Sequence, residues 1–369
     1  MIQFLKREKV MDIAFILAAI SIVFVRPDKE YIQYIDFRVL AILFGLMILV
    51  KGFQNAGLLD WMISRLFGKI KNLRTMIQIL VLLCFFMSMV MTNDVALITF
   101  VPFAILALTA CGQQKQIIPV VVLQTLAANL GSMFTPIGNP QNLYLFTASG
   151  MSVASFFATM APITGFSLLL HLLATYFIRN TEISLKLPEE SAELSHNKKD
   201  LLVYTLLFVL NLLVVFRVVH FLPVLVLTIL TLMAAKKSSL FGQVDYALLL
   251  TFVGFFIFVG NMGRIPAISN LVKMLITGRA VFISALFSQF LSNVPAALLL
   301  SGFTGDFRGL LIGTNIGGLG TLIASMASLI SYKAYAESEG ADTGRYLLVF
   351  TAANILGLIC LSAFTWIVY

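Results

Sequence analysis

Long apolar runs separated by short charged or Gly- and Pro-bearing stretches dominate the 369-residue chain. As helices, runs of about 20 apolar residues match the thickness of a bilayer core. They fall at 10–26, 38–57, 75–112, 117–148, 152–178, 201–217, 219–235, 245–263, 279–305, 309–333 and 345–368, a pattern that predicts an all-α polytopic membrane protein. Four runs are not simple spans. Residues 75–112 are too many for one helix and are interrupted by Thr92-Asn93-Asp94, while 279–305 is interrupted by Ser292-Asn293-Val294. Each predicts a re-entrant helical hairpin with a polar tip. The other two carry NLGSMFTPIGNPQN (Asn129 to Asn142) and NIGGLGTLIASMAS (Asn315 to Ser328). Gly, Pro and Asn at mid-depth break a transmembrane helix and free backbone groups, tolerated only where protein or water surrounds them. Ahead of the hairpins, GLLDWMISRLFGKIKNLR and PAISNLVKMLITGR read as amphipathic helices lying at the interface.

The runs repeat. Asn129–Thr135 falls on Asn315–Thr321, a hairpin tip precedes each, and Gly45 and Gly254 mark similar helices earlier still. Residues 1–178 and 201–369 are therefore expected as two transmembrane repeats, joined by a polar, cytoplasmic linker at 179–200. If hairpins return to their own side, five crossings separate the helix near Arg38 from its counterpart near Asp245. An odd number makes the repeats inverted.

Composition changes the picture in one respect. The chain is 60% hydrophobic and 11% charged, with mean hydropathy +0.98, which excludes an ordinary soluble domain. The net charge of +8 then reads as topology: with the N-terminus cytoplasmic, Lys and Arg favour the inside segments by about two to one. The expected location is the cell (inner) membrane. MIQFLKREKVMDIAFILAAISIVFV has no small-residue cleavage site and reads as a retained first helix. Cys84, Cys111 and Cys360 sit in apolar runs without metal or disulfide spacing, and the histidines are isolated, so no cofactor is expected. Nothing suggests nucleic-acid binding. Without a Gly-rich phosphate loop, ATP driving requires a separate subunit.

Inverted repeats with broken helices point to a secondary transporter whose site lies where the broken elements meet. Half-helix N-termini offer N–H donors to anions, and unwound carbonyls replace water around a small cation. The tips TND and SNV, together with TPIGNPQN and TLIASMAS, resemble the ion transporter superfamily. That group includes divalent anion/sodium symporters, citrate-transporter-like permeases, arsenite-efflux membrane subunits and some sodium/proton antiporters. The resemblance covers nearly the whole chain. It implies two cation sites, one at Thr92, Asn93, Asp94 and Gly138 and the other at Asn293 and Ala324, with Na+ or H+ as coupling ion. It also implies substrate contacts from Asn93, Asp94, Asn139, Ser292, Asn293 and Ser325, a homodimer in the bilayer, and an elevator-like movement.

Two positions depart from the symporter pattern. The last Thr of each tip is replaced by Asp94 and Val294, so both hydroxyls that would donate to a carboxylate are gone. Asp94 is expected to couple transport to a cation, or simply to cap the half-helix that follows it. The expected function is cation-coupled transport of a small carboxylate or oxyanion, citrate-like. Arsenite-type efflux or sodium/proton exchange is the alternative that Asp94 favours. A channel would use the same polar elements, and an intramembrane enzyme would need a catalytic constellation that the sequence lacks. Gly131, Gly317, Gly318 and Gly320 read as site residues in preference to packing glycines, because they coincide with Asn and Thr in both halves.

Overall fold

The computed structural model describes residues 9–67, 70–183 and 198–369. The basic residues Lys6, Arg7 and Lys69 used in the topology, and most of the 179–200 linker, lie outside them. The described chain is helical, with no strand and one isolated bridge, Asn72 to Glu182. In order, the helices are α1 Lys9–Phe24, α2 Glu30–Tyr34, α3 Phe37–Asn55, α4 Leu58–Phe67, α5 Leu73–Met91, α6 Asn93–Ala110, α7 Ile117–Ser132, α8 Pro140–Ser149 and α9 Val153–Tyr176. They continue as α10 Lys198–Val215, α11 Phe221–Ala234, α12 Tyr246–Gly263, α13 Pro266–Ile276, α14 Ala280–Leu291, α15 Asn293–Ser301, α16 Phe307–Ile316, α17 Met326–Ala336 and α18 Thr343–Val368. Six of them, α3, α5, α6, α9, α12 and α18, are long and apolar enough to cross a membrane. The protein is an all-α polytopic membrane protein.

The order α3 to α9 recurs as α12 to α18: a long helix, an amphipathic helix, a helix pair, a broken pair and a closing long helix. Matching caps set the starts. Asp36 accepts a hydrogen bond from Val39 N at 3.0 Å to open α3, and Asp245 accepts from Leu248 N at 2.9 Å to open α12. Ser152 and Asp342 open α9 and α18 in the same way, accepting from Ser155 N and Arg345 N. A side-chain oxygen at the N-cap satisfies an N–H that the first helical turn cannot.

Two compact units are assembled from interleaved segments. The first comprises Met1–Leu58, Glu193–Ala280 and Ala297–Phe307; the second comprises Leu59–Ala192, Val281–Ala296 and Arg308–Tyr369. Within the first unit α1 packs on α12, where Asn261 Nδ2 donates to both Ser21 Oγ and Tyr31 Oη at 2.8 Å. Asn211 joins α10 to α11 by donating to Thr228 Oγ1, and its amide lies against Gly45 of α3.

The second unit holds both broken pairs. Gln124 of α7 donates to Leu80 O of α5 and Phe100 O of α6, both at 3.3 Å, so those two helices run side by side. The glycine expectation needs correction here. A Cβ on Gly131 would lie 2.0 Å from Phe85 O of α5, and one on Gly317 would lie 2.7 Å from Ala285 Cα of α14. These two glycines are close-packing contacts, made at equivalent places in both repeats, that let a broken helix touch the arm beside it.

Candidate functional site

The paired helices break at a single residue in each repeat. Thr92 has φ +63° between α5 and α6, and Ser292 has φ +75° between α14 and α15. Positive φ disfavours any side chain and most of all a β-branched one, at about 1–3 kcal/mol. The same strain at both tips has a common result: it turns the following N–H onto a broken-helix loop. Asn93 N donates to Gly138 O at 3.2 Å, and Asn293 N donates to Ala324 O at 3.0 Å. The four residues expected to form the cores of two cation sites are thus brought together in pairs.

Side chains at the tips follow the same plan. Asn93 Oδ1 accepts from Asp94 N at 3.0 Å, and Asn293 Oδ1 accepts from Val294 N at 2.9 Å. Ser292, fully buried, donates to Asn293 Oδ1 at 3.3 Å. Thr92 is the N-cap position of α6, so Asp94, half-buried, stands in the first helical turn and is not the capping residue. The helix dipole at that first turn favours a negative charge there.

Between the tips lies a buried cluster of amides and hydroxyls. Asn93 Nδ2 donates to Asn129 Oδ1 at 3.0 Å, and the same oxygen accepts from Ser325 Oγ at 3.0 Å. Asn129 Nδ2 reaches Ser328 Oγ at 3.4 Å. The exchange is reciprocal: Asn139 Nδ2 donates to Asn315 Oδ1 at 3.2 Å, and Asn315 Nδ2 donates to Asn142 Oδ1 at 2.6 Å. Each broken helix therefore contributes an Asn that binds the start of the other repeat's half-helix. Asn139 caps α8 through Asn142 N and also donates to Ser132 Oγ, so its amide is committed inside the cluster. Ser325 sits at the N-cap of α17, where its hydroxyl serves Asn129 and makes no capping bond.

Loop carbonyls freed by the breaks are covered by amides of different origin. In the first repeat, Asn142 Nδ2 reaches Ser132 O, Met133 O and Thr135 O at 3.1–3.4 Å. In the second, Gln289 Nε2 from α14 reaches Gly317 O at 2.8 Å and Leu319 O at 2.9 Å. Gly320, at φ +114°, leaves room for that amide: a Cβ there would meet Gln289 Oε1 at 2.0 Å. Gln141 is fully buried, and neither atom of its amide has a protein partner.

Sequence reasoning did not single out Asn142, Gln289 and Ser328, which the structure brings into the cluster or onto its loops, and took Asn129 and Asn315 only as markers of the repeat. It also missed Ser88 and Ser288, completely buried one turn before the tips. A signal was available: Asn129 and Asn315, Asn139 and Ser325, and Asn142 and Ser328 are each separated by 186 residues. Among the described residues, no three His, Cys, Asp or Glu come together to hold a metal ion. The oxygens at the tips are carbonyl, hydroxyl and amide, with the Asp94 carboxylate added at the first, and such hard oxygens suit an alkali cation better than a soft transition metal.

The family model for the citrate transporter (CitMHS) matches residues 2–304. The chain belongs to the citrate transporter family. This family member is also similar to an uncharacterized transporter of Methanocaldococcus jannaschii, 31% identical over 91% of each chain. It is 30% identical to inner membrane protein YbiR of Escherichia coli over 86% of each chain. A putative transporter, arsB of Dictyostelium discoideum, is 29% identical over 40% of this chain and 26% of its own length. The protein is thus an integral membrane transporter, and the superfamily resemblance carried by its tips holds at the level of family.

Proposed function

We propose that the protein is a secondary active transporter of a small carboxylate or oxyanion, citrate-like, coupled to Na+ or H+. The observation that carries this reading is the pair of tips docked on loop carbonyls, Asn93 on Gly138 and Asn293 on Ala324. Each pairing supplies carbonyl oxygen beside an amide and hydroxyls, the ligands that replace water around a small cation. Thr92, Asn93, Asp94 and Gly138 hold one cation; Asn293 and Ala324 hold the other. Substrate meets Asn93, Asp94, Asn139, Ser292, Asn293 and Ser325, with the N-termini of α6 and α15 directed at its charge. The compact unit that bears both tips moves in an elevator-like manner, in a homodimer, in the cell (inner) membrane, with the N-terminus cytoplasmic. The coupling ion is the only accessory needed.

One observation favours a second reading. Asp94 places a carboxylate in the first turn beside the cation ligands, and Val294 offers no hydroxyl at the matching place. Both suit proton-coupled exchange or arsenite-type efflux better than dicarboxylate symport. A thermal-stability screen of purified protein against citrate, succinate, sulfate, phosphate and arsenite, with and without sodium, separates the two, since a ligand bound only by the folded state raises its melting temperature. A sodium-dependent shift with a carboxylate supports symport. Sodium or pH effects with no responding anion support the exchanger.

A further inference from the structure

The two central asparagines are equally buried and richly bonded, yet they differ in reach. Asn129 is bonded to the first tip directly, through the side chain of Asn93 at 3.0 Å. It is also bonded to Ser325 at 3.0 Å, the residue after Ala324, whose carbonyl takes the N–H of the second tip. Asn315 is bonded to Asn139 and Asn142, beside the carbonyl of Gly138 that serves the first tip. Its own counterpart bond, to the side chain of Asn293, is absent among the described contacts; its Oδ1 accepts from Asn139, and its Nδ2 donates to Asn142 Oδ1 and Leu311 O. Asn129 alone of the pair reaches both tips.

We propose that Asn129 is the positioning residue that ties the two hairpin tips together, so that a change at either tip is felt at the other. The proposal rests on the reading of the tips as the transport site and goes beyond it by making the two half-sites one cooperative device. Its physical basis is the shared acceptor. One oxygen, Asn129 Oδ1, takes hydrogen bonds from both directions in a buried, low-dielectric setting, where linked hydrogen bonds polarise one another and a lost partner is not replaced by water. If Asn93 moves when its tip binds or releases an ion, Asn129 must follow or lose that bond. Either response shifts Ser325 and, with it, the start of α17 on which the second tip is seated. In the opposite direction, displacement of Asn293 from Ala324 frees the same turn and loosens Ser325 from Asn129. A bond network of this kind becomes functional coupling only when the two ends prove energetically linked.

The experiment is a double-mutant cycle between the tips, Asn93→Ala with Ser292→Ala, in three backgrounds: wild type, Asn129→Ala and Asn315→Ala. Two quantities are read on the full chain, the melting temperature without added substrate and the citrate Kd. In wild type the combined change in Kd should depart from the product of the single changes by about fivefold or more, and the melting-temperature shifts should fail to add. In Asn129→Ala both should become multiplicative or additive, within about twofold in Kd. In Asn315→Ala, which removes an equally buried amide, the coupling should persist. Additivity in wild type, coupling that survives Asn129→Ala, or coupling abolished equally by Asn315→Ala would each overturn the proposal. A wild-type protein that does not bind citrate would overturn the carboxylate reading alone, because the melting-temperature cycle still reads the wiring. Asn129→Ser, short but polar, guards against misfolding of the alanine variant: it should also uncouple the tips.

Discussion

The two tips are built alike in backbone and differently in chemistry. Both break a helix at a hydroxyl residue with positive φ, both dock an Asn N–H on a loop carbonyl, and both use that Asn to hold the next N–H. The first tip adds a carboxylate and a side-chain bond into the central cluster; the second has Val294 and no such bond, while its loop is held from outside by Gln289. A repeated scaffold thus preserves the geometry of docking and leaves the chemistry of each half free to diverge. Symmetry of fold therefore does not imply equal chemistry at the two tips.

The sharpest break of that comparison is Asn93→Ala against Asn293→Ala. Each removes two side-chain hydrogen bonds: the first, the hold on Asp94 N and the bond to Asn129 in the central cluster; the second, the hold on Val294 N and the bond from Ser292, both of them inside the tip. With a buried hydrogen-bonding group left unpaired costing about 1–3 kcal/mol, initial uptake into proteoliposomes should fall about a hundredfold for Asn93→Ala and about tenfold for Asn293→Ala. Equal losses would mean that the tips contribute alike.

Next in size is the charge difference. Asp94→Asn, which makes the first tip as neutral as the second, should cut uptake by about tenfold or more and remove its dependence on the driving cation, the expected result of losing a charge beside a bound ion. Transport with its pH and sodium dependence intact would leave Asp94 a local structural residue.

The packing of the two loops should respond in a graded way. Gly131→Ala forces a methyl group to within 2.0 Å of Phe85 O, and Gly317→Ala to within 2.7 Å of Ala285 Cα. Both lower the melting temperature, Gly131→Ala more, with an overpacking cost on the order of 1–3 kcal/mol. A smaller effect is expected from Gln289→Met, which gives the second repeat the residue that its first-repeat counterpart, Met89, already has. It leaves Gly317 O and Leu319 O without the amide, so the second loop should exchange its amide hydrogens faster while the first loop is unchanged. The smallest change is at Gln141. Replacing it by Leu removes two buried polar atoms that have no protein partner, and stability should hold or rise by about 1 kcal/mol.

Much of the fold could be read from the chain because its signals are local. Thr92-Asn93-Asp94 and Ser292-Asn293-Val294 interrupt apolar runs, and Gly, Pro and Asn mark the broken helices, so the breaks and the repeat order were legible. Asp36, Ser152, Asp245 and Asp342 are residue types favoured at N-caps, a local signal of helix starts that went unread. The tip residues were legible as the breaks, and the family resemblance of the motifs grouped them with Gly138 and Ala324, though not the backbone hydrogen bonds that join them. The crossed exchange was not: that Asn129 binds Ser325 and Ser328 while Asn315 binds Asn139 and Asn142 is a long-range pairing with no local signature. The interleaved compact units were hidden for a related reason. Helices that are apolar on most faces do not record in their own hydropathy which neighbour they touch. Gly131 and Gly317 misled because a glycine that admits a neighbouring helix and one that frames a site look the same in one dimension.

The unequal arms have a consequence for where the two halves must stay in register. The arm after the first tip, α6, has 18 residues, and its counterpart α15 has nine, yet Asn129 to Asn142 and Asn315 to Ser328 are equally long. The difference in length between the halves thus falls in the arms and is zero over the stretch where the two repeats exchange asparagine bonds. An added residue in an arm only lengthens a rod, by about 1.5 Å. One added between Asn129 and Asn142 would break the register with the other half, so this stretch is where the two copies have had to keep step.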